Sequence, residues 1–545
     1  MKENWKYKKL FYIMLGVVVI SLGFTAVVLS GLIDDADGKE GKYWFFEEAK
    51  QTGKPVELEN AYVYSNANGQ LEFLYDNITY TIEGSLAQEF SGVADIVVEG
   101  DKVAKVYSKP EEKKGILHSY DDKSMAVMSK LEAVEAAADG NQAAEQVENL
   151  VRQASIPIYK VEADKVVQSN WNQVIIGTSN VRCVMENGIV SAMIIEESLP
   201  SDIRVIIKNG SSIYYPELFV KKQSDGSLIN AKEVMAAHGL KELEIQDANG
   251  LVLCNAAGKA LGEAYEGMFR VIQTEEGMVL INQLPIETYV KYVLPSEMPK
   301  SFHAEALKAQ AVCARTFAYA HMRNQSYAKY GANLDDSTAF QVYHSTGRFA
   351  ETDAAVDATA GEIITCNGEL ITCYYFSTSA GMTNDMSVWG SKTPEYIVMC
   401  KSEDTQSPFY KWTAYLDITG VKEEAYGALK SAEIISKNVA GYVTELKLTY
   451  QNKTITLTNE NDIRSIMGKY LEETVLNNGK VRTDLSMIPS ASFTVKEASD
   501  GKIVLSGGGF GHGIGMSQYG ADQMADAGSD YKSIVEYYFK NVAVK

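Results

Sequence analysis

The stretch IETYVKYVLPSEMPKSFHAEALKAQAVCARTFAYAHM, residues 286–322, decides how the larger part of this chain is built. From residue 304 onward it contains no glycine or proline, and Leu307, Ala311, Ala314 and Ala318 recur at helical spacing. The spacing predicts one long helix over 304–322, with Ser301 as its N-cap. Upstream, Pro295 and Pro299 restrict the backbone on either side of Glu297, which is expected on a short connection between two helices. Segments of strand character surround this pair: IRVIIKNG (203–210), MFRVIQTEEGMVLIN (268–282) and GEIITCNGELITCYYFSTSAG (361–381). In the last of these, Asn367-Gly368 is a hairpin turn that sets Cys366 opposite Glu369. The expectation is a single α+β domain over residues 203–545.

Working toward the N-terminus, short alternating segments replace the long helix. Residues 34–123 read as a β-rich module, residues 155–202 as a second one, and ADIVVEGDKVAKV (94–106) is echoed by VRCVMENGIVSAM (181–193). Both copies place a two-residue turn, Gly100-Asp101 or Asn187-Gly188, between apolar runs. Between the modules, residues 124–154 are rich in Ala and Glu and are expected to form two linking helices.

Lys2, Lys6, Lys8 and Lys9 precede an uncharged stretch, residues 10–33, that Asp34 and Asp35 close. Its length matches the roughly 30 Å of a bilayer's hydrocarbon core, and no small-residue cleavage motif follows it. An uncleaved single-pass anchor is expected, with residues 1–9 as a cytoplasmic tail and the rest extracytoplasmic. At 545 residues the chain exceeds what one core supports. The net charge of −20 carries no basic footprint for nucleic acid, and six cysteines do not make a disulfide scaffold.

Three stretches of the C-terminal domain carry the residues suited to chemistry. Leu294, Met298 and Phe302 flank Glu297 and would desolvate it, raising its pKa toward that of a general acid. The same carboxylate can equally cap a turn. Gln341, Tyr343, Ser377, Ser379, Thr383 and Trp389 form a polar and aromatic set of the kind that binds sugars, although each is common in structural roles. The third stretch, SGGGFGHGIGMSQYGA (506–521), fails the spacing of nucleotide loops. If extended, it puts Gly509, Gly511, Gly513 and Gly515 on one face and Phe510, His512, Ile514 and Met516 on the other. The bare face suits close approach by a ligand or another strand, and His512 serves as a contact or as a satisfied core histidine.

Together these stretches resemble the stage II sporulation protein D family, also described as amidase-enhancer-like. The resemblance rests on Y-x-x-x-V-x-x-S-E-M-P at 289–299, A-x-x-A-R at 311–315, Q-V-Y at 341–343, S-x-S-x-G-x-T…V-W-G at 377–390 and G-H-G-x-G-M-S-Q-Y-G-A at 511–521. It is collinear over roughly 203–545 and does not reach the anchor or the β modules.

What the resemblance implies is a peptidoglycan lytic transglycosylase. Glu297 would protonate the glycosidic oxygen between N-acetylmuramic acid and N-acetylglucosamine. Its carboxylate would then take the proton of the muramic C6 hydroxyl as that oxygen attacks C1, leaving a 1,6-anhydro end. Arg315, Gln341, Tyr343, Ser377, Ser379, Thr383, His512, Gln518 and Tyr519 would contact the glycan. The glycine run becomes one wall of the groove, so that a bulky residue at Gly513 is expected to block binding without unfolding the domain. Some relatives hold zinc just before Q-V-Y. Here Ala339 and Phe340 stand at that place, and neither metal nor cofactor is expected. Phe376 stands where relatives often have His. The partners implied are glycan strands stripped of peptide, a cell-wall amidase and other membrane-anchored wall proteins, in sporulation or wall remodelling. The rival readings are a glycan-binding enhancer of an amidase that does not itself cleave, and a scaffold docking through its β modules.

Overall fold

The structure, a computed structural model, describes residues 43–65, 70–83, 90–128, 147–162, 165–177, 181–196 and 199–545, except 324, 338, 344–346, 423 and 500. The tail and anchor expected at 1–9 and 10–33 lie outside the described residues. Among the described residues no helix is long and apolar enough to cross a membrane.

The chain divides into two compact units. The first takes the described residues of Met1–Ile116, Asp122–Trp171 and Asn180–Glu197. A five-stranded antiparallel sheet runs there in the order Ile78–Glu83, Gln70–Tyr75, Val56–Ser65, Gly92–Glu99, Lys102–Ser108. The helix Trp44–Thr52 closes one of its faces, with Phe45 buried against Tyr80 at 5.1 Å between ring centres. In a second sheet, Glu112–Tyr120 pairs with Val181–Glu186, so residue 123 is not the module boundary that the sequence suggested. The two segments thus share one unit. Nor are the described ends of 124–154 helical. Ser124–Met128 and Val147–Val151 are antiparallel strands, with Met125 to Met128 buried, because side-chain burial overrides the helical preference of their neighbours. The Ala/Glu-rich centre of that stretch lies outside the described residues.

The second unit takes Leu117–Asp121, Asn172–Ser179 and Ser198–Lys545, and it is mixed α+β, as expected. Its first sheet runs Glu242–Gln246, Met268–Gln273, Met278–Pro285, Asp202–Ile207, Leu334–Asp335. Three helices follow from it: α1 (Ile286–Glu297), α2 (Ala304–His321) and α3 (Ala350–Ala358). α2 is the long helix read from the sequence, buried on nearly every side and packed by α1, α3, α5 (Gln518–Asp526) and α6 (Tyr531–Tyr538). Its N-cap is His303 rather than Ser301, the imidazole Nδ1 accepting the Glu305 N–H at 3.2 Å. A second β layer is formed by Val481–Arg482, Leu471–Leu476, Trp412–Asp417, Lys502–Gly507 and Phe493–Ser499, beside a three-stranded meander and the helix α4 (Glu460–Gly468). One continuous apolar core joins both layers of this unit.

Candidate active site

α1 ends on Glu297, and Met298 leaves the helix in extended conformation. Pro295 therefore lies inside the last helical turn, not on a connection. A proline offers no N–H, but the turn is held by Met298 N–H donating to the Leu294 carbonyl and by Ser296 Oγ donating to the Tyr292 carbonyl, both at 2.9 Å. Glu297 opens into a cavity of about 460 Å³. Phe302, Tyr375, Phe376, Phe409, Phe510 and Tyr519 bring aromatic surface to it, and Ser377, Arg464, Gly511 and Gln518 bring polar groups or bare backbone. Glu297 is the only carboxylate lining it among the described residues. Two other clefts, of about 580 Å³ beside Asp202 and Glu266 and about 500 Å³ beside His321, hold none of the residues singled out in the sequence.

Burial pushes the Glu297 carboxyl above its ordinary value of 4.5. Two hydrogen bonds pull the other way without overcoming it: the Val342 N–H, 3.0 Å from Oε1, and the Tyr375 side chain. Tyr375 is in turn held by a relay. Tyr289 Oη donates to Gln341 Oε1 at 3.2 Å, and Gln341 Nε2 donates to the Ala314 carbonyl at 3.1 Å and to Tyr375 Oη at 2.9 Å. With its lone pair so engaged, the Tyr375 hydroxyl is left to donate to Glu297. Tyr289 sits on α1, Ala314 on α2 and Tyr375 on the short strand Tyr375–Phe376, and the buried Gln341, on the irregular segment between Leu334–Asp335 and α3, ties the three together.

The glycine run is not an extended strand. Gly509, Gly511, Gly513 and Gly515 all take positive φ, from 79° to 107°. They let the run lie hard against the segment 374–380. Phe510 N–H donates to the Thr378 carbonyl at 2.8 Å, Met516 N–H to the Tyr374 carbonyl at 3.1 Å, and Met516 and Ser517 pair in parallel with Tyr375 and Phe376. A Cβ at Gly515 would fall 2.1 Å from the Tyr374 carbonyl oxygen, and one at Gly513 would fall 2.4 Å from the Tyr442 hydroxyl. The expectation that Gly513 tolerates a bulky residue is thus corrected: that face is filled by protein. Only Phe510 and Gly511 of the alternating run reach the cavity.

Of the other sequence-predicted site residues, Ser377, Gln518 and Tyr519 line the cavity with Glu297. Tyr519 meets Phe302 edge to face at 4.9 Å. Gln341 stands behind Tyr375. The remainder are held elsewhere. Arg315 is fully buried and bridges Glu287 at 2.6 Å and the Glu362 carbonyl at 3.0 Å. Tyr343 stacks on Tyr289 and donates to Asn282 Oδ1 at 2.7 Å. Ser379 and Thr383 are fully buried: the Ser379 N–H donates to Asp404 and Thr383 Oγ1 to the Val398 carbonyl. His512 is packed among Tyr374, Phe376 and Trp389, its Nδ1 accepts the Ile514 N–H at 3.0 Å, and burial drives its pKa down to about 3.

Sequence reading missed Tyr375 and Arg464. Tyr375 lies in the strand Tyr375–Phe376, two residues before Ser377, the spacing that in extended backbone puts side chains on one face, and that signal is present in the sequence. Nothing local marks Arg464, which tertiary folding brings in on α4. Among the described residues no group of three His, Cys, Asp or Glu side chains is arranged to hold a metal ion.

Residues 274–366 match the family model described as SpoIID, stage II sporulation protein. The chain is 32% identical over 327 residues to an uncharacterized protein of Brachyspira hyodysenteriae, covering 58% of this chain and 83% of that protein. It is 32% identical over 280 residues to stage II sporulation protein D of Bacillus subtilis, covering 48% of this chain and 75% of the relative. To the amidase enhancer of Bacillus subtilis it is 32% identical over 292 residues, covering 46% of this chain but only 39% of that longer protein.

Proposed function

The chain belongs to the stage II sporulation protein D family, and from that premise we propose that its second unit is a lytic transglycosylase acting on the glycan strands of the cell wall. The observation that carries the reading is a partly buried carboxyl of raised pKa standing alone in a cavity of aromatic surface. Hydrolases of glycosidic bonds ordinarily pair two carboxyls, one as acid and one as nucleophile or base. A transglycosylase needs only one, used twice.

In the proposed reaction Glu297 first gives its proton to the oxygen joining N-acetylmuramic acid to N-acetylglucosamine, and the bond from that oxygen to C1 breaks. The carboxylate left behind removes the proton of the muramic C6 hydroxyl as its oxygen bonds to C1. The products are a free N-acetylglucosamine hydroxyl and a 1,6-anhydro end. No water enters, and Glu297 ends as it began. Phe302, Tyr519 and Phe510 supply faces on which sugar rings can lie, while Ser377 and Gln518 supply hydrogen bonds. The relay through Gln341 to Tyr375 keeps the carboxyl aimed in both halves of the cycle. We place this chemistry outside the cell, behind a membrane anchor at residues 10–33, with peptide-free glycan strands as substrate and a wall amidase as partner. Sporulation is the setting that the family's name suggests.

The test is digestion of purified peptide-free strands, with the new ends identified by mass spectrometry. Anhydro ends are expected from the unmutated chain, and Glu297→Gln is expected to lose them by about a thousandfold or more. The name of the longer relative supports a second reading, an enhancer without catalysis. It wins if the chain accelerates an amidase and Glu297→Gln does so equally well, with no glycan cut by either.

A further inference from the structure

Arg464 is the only cationic side chain lining the cavity of Glu297 among the described residues. It is 9% exposed and held at two of its three nitrogens. Nε donates to the Ile488 carbonyl at 3.1 Å, and Nη1 donates to the Glu460 carboxylate at 3.2 Å, one turn back on α4. Nη2 has no hydrogen bond to a described residue. The guanidinium is therefore fixed before any ligand arrives, with one donor edge still to satisfy, in a cavity whose other walls are aromatic rings, prolines, bare glycine, hydroxyl and amide groups and the Glu297 carboxyl, whose pKa burial raises. Such a donor favours an anion, and it penalises a neutral group that leaves it unpaired.

Resting on the reading of the substrate above, we infer that Arg464 is the residue that receives the lactyl carboxylate of N-acetylmuramic acid. Of the two sugars in the strand only the muramic residue carries an acid, on its lactyl ether. That acid is an anion when free and a neutral amide when a peptide is attached. The arginine thus selects strands bearing the free acid over strands on which it is closed as an amide, and over strands built of N-acetylglucosamine alone. A small amide such as the methylamide differs little from the acid in size, so a preference between those two reports the charge and not the room available.

The experiment measures binding, so that it does not depend on cleavage. Full-length Glu297→Gln chain is titrated with fluorescent peptide-free strands, and with the same strands after their lactyl acids are coupled to methylamine. The free acid is expected to bind roughly tenfold or more tightly. In Glu297→Gln carrying Glu460→Gln and Arg464→Gln together, which removes both charges of the buried pair, the preference is expected to collapse to about onefold. Arg464→Lys, which keeps the charge but not the fork, guards against misfolding of the double change and is expected to lose several-fold of the preference. Equal affinity for the two strands in the parent, binding of neither, or a preference undiminished in both folded variants overturns the inference. A preference without anhydro ends from the unmutated chain sinks the proposed reaction and keeps the arginine's role. Anhydro ends without a preference do the reverse.

Discussion

In the proposed reaction Glu297 acts as an acid only while it keeps its proton, and two neighbouring groups bear on how far up the pH scale it does so. Burial raises its pKa, while the Val342 N–H and the Tyr375 side chain lower it. Removing the Tyr375 hydroxyl deletes one of the lowering contacts. Tyr375→Phe is therefore expected to move the alkaline limb of the pH–rate profile to higher pH, with a several-fold lower maximum because the carboxyl is less firmly aimed. A limb that stays in place or moves to lower pH contradicts the assignment. Folding stability is linked to the same proton. The folded chain holds it at pH values where the unfolded chain, near 4.5, has already released it. The folded state thus gains from this group in acid and loses that gain as pH rises from about 4.5 through the raised folded value. Glu297→Gln, which cannot titrate, should show a melting temperature that overtakes that of the unmutated chain as pH climbs across this window. Parallel melting curves at all pH values would sink the claim. His512, by contrast, is held neutral by burial down to about pH 3 and carries no charge near neutrality.

At the scale of the element, the glycine run and the segment 374–380 are one structural piece. The run gives up side chains so that its backbone can hydrogen-bond the segment that carries Tyr375 and Ser377. Gly515→Ala combines a Cβ at 2.1 Å from the Tyr374 carbonyl with a φ of 79° that disfavours any side chain. It is expected to cost about 3 kcal/mol or more of stability, read by denaturant unfolding. A variant of unchanged stability and lost binding would restore the earlier picture of a bare glycan wall. Period-two spacing could not reveal the true geometry, because it presumes extended backbone, whereas alternating positive φ curls the run around its neighbour. Other local features were legible for direct reasons. Asn367-Gly368 and Asn187-Gly188 turn with both residues at positive φ, and Cys366 does face Glu369. The long helix was legible from its apolar spacing, but its cap was not. His303 accepts the Glu305 N–H while its own N–H is fixed by Asp522, far along the chain, which no local pattern encodes.

At the scale of the molecule, Glu297, the strand behind it and the run beside it come from 297, 375 and 510–519, and the fold of the second unit brings them to one cavity. Their order along the sequence was readable as motifs, which is why Glu297, Ser377, Gln518 and Tyr519 were named together. What motifs could not separate was contact from support. Arg315, Tyr343, Ser379 and Thr383 are fixed in the same stretches because the unit needs them inside, while Arg464 was absent from the motifs and lies on the cavity wall. The division of the N-terminal part was misread for a related reason: strand Glu112–Tyr120 joins partners beyond the supposed linker, and pairing over that distance leaves no trace in local composition.

The central claim is that a single carboxyl cuts the strand without water. Cleaving peptide-free glycan in water enriched in heavy oxygen tests it most directly. The account predicts new anhydro-muramic ends that carry no solvent oxygen at any stage of the digest. Reducing muramic ends bearing one heavy oxygen each would contradict it.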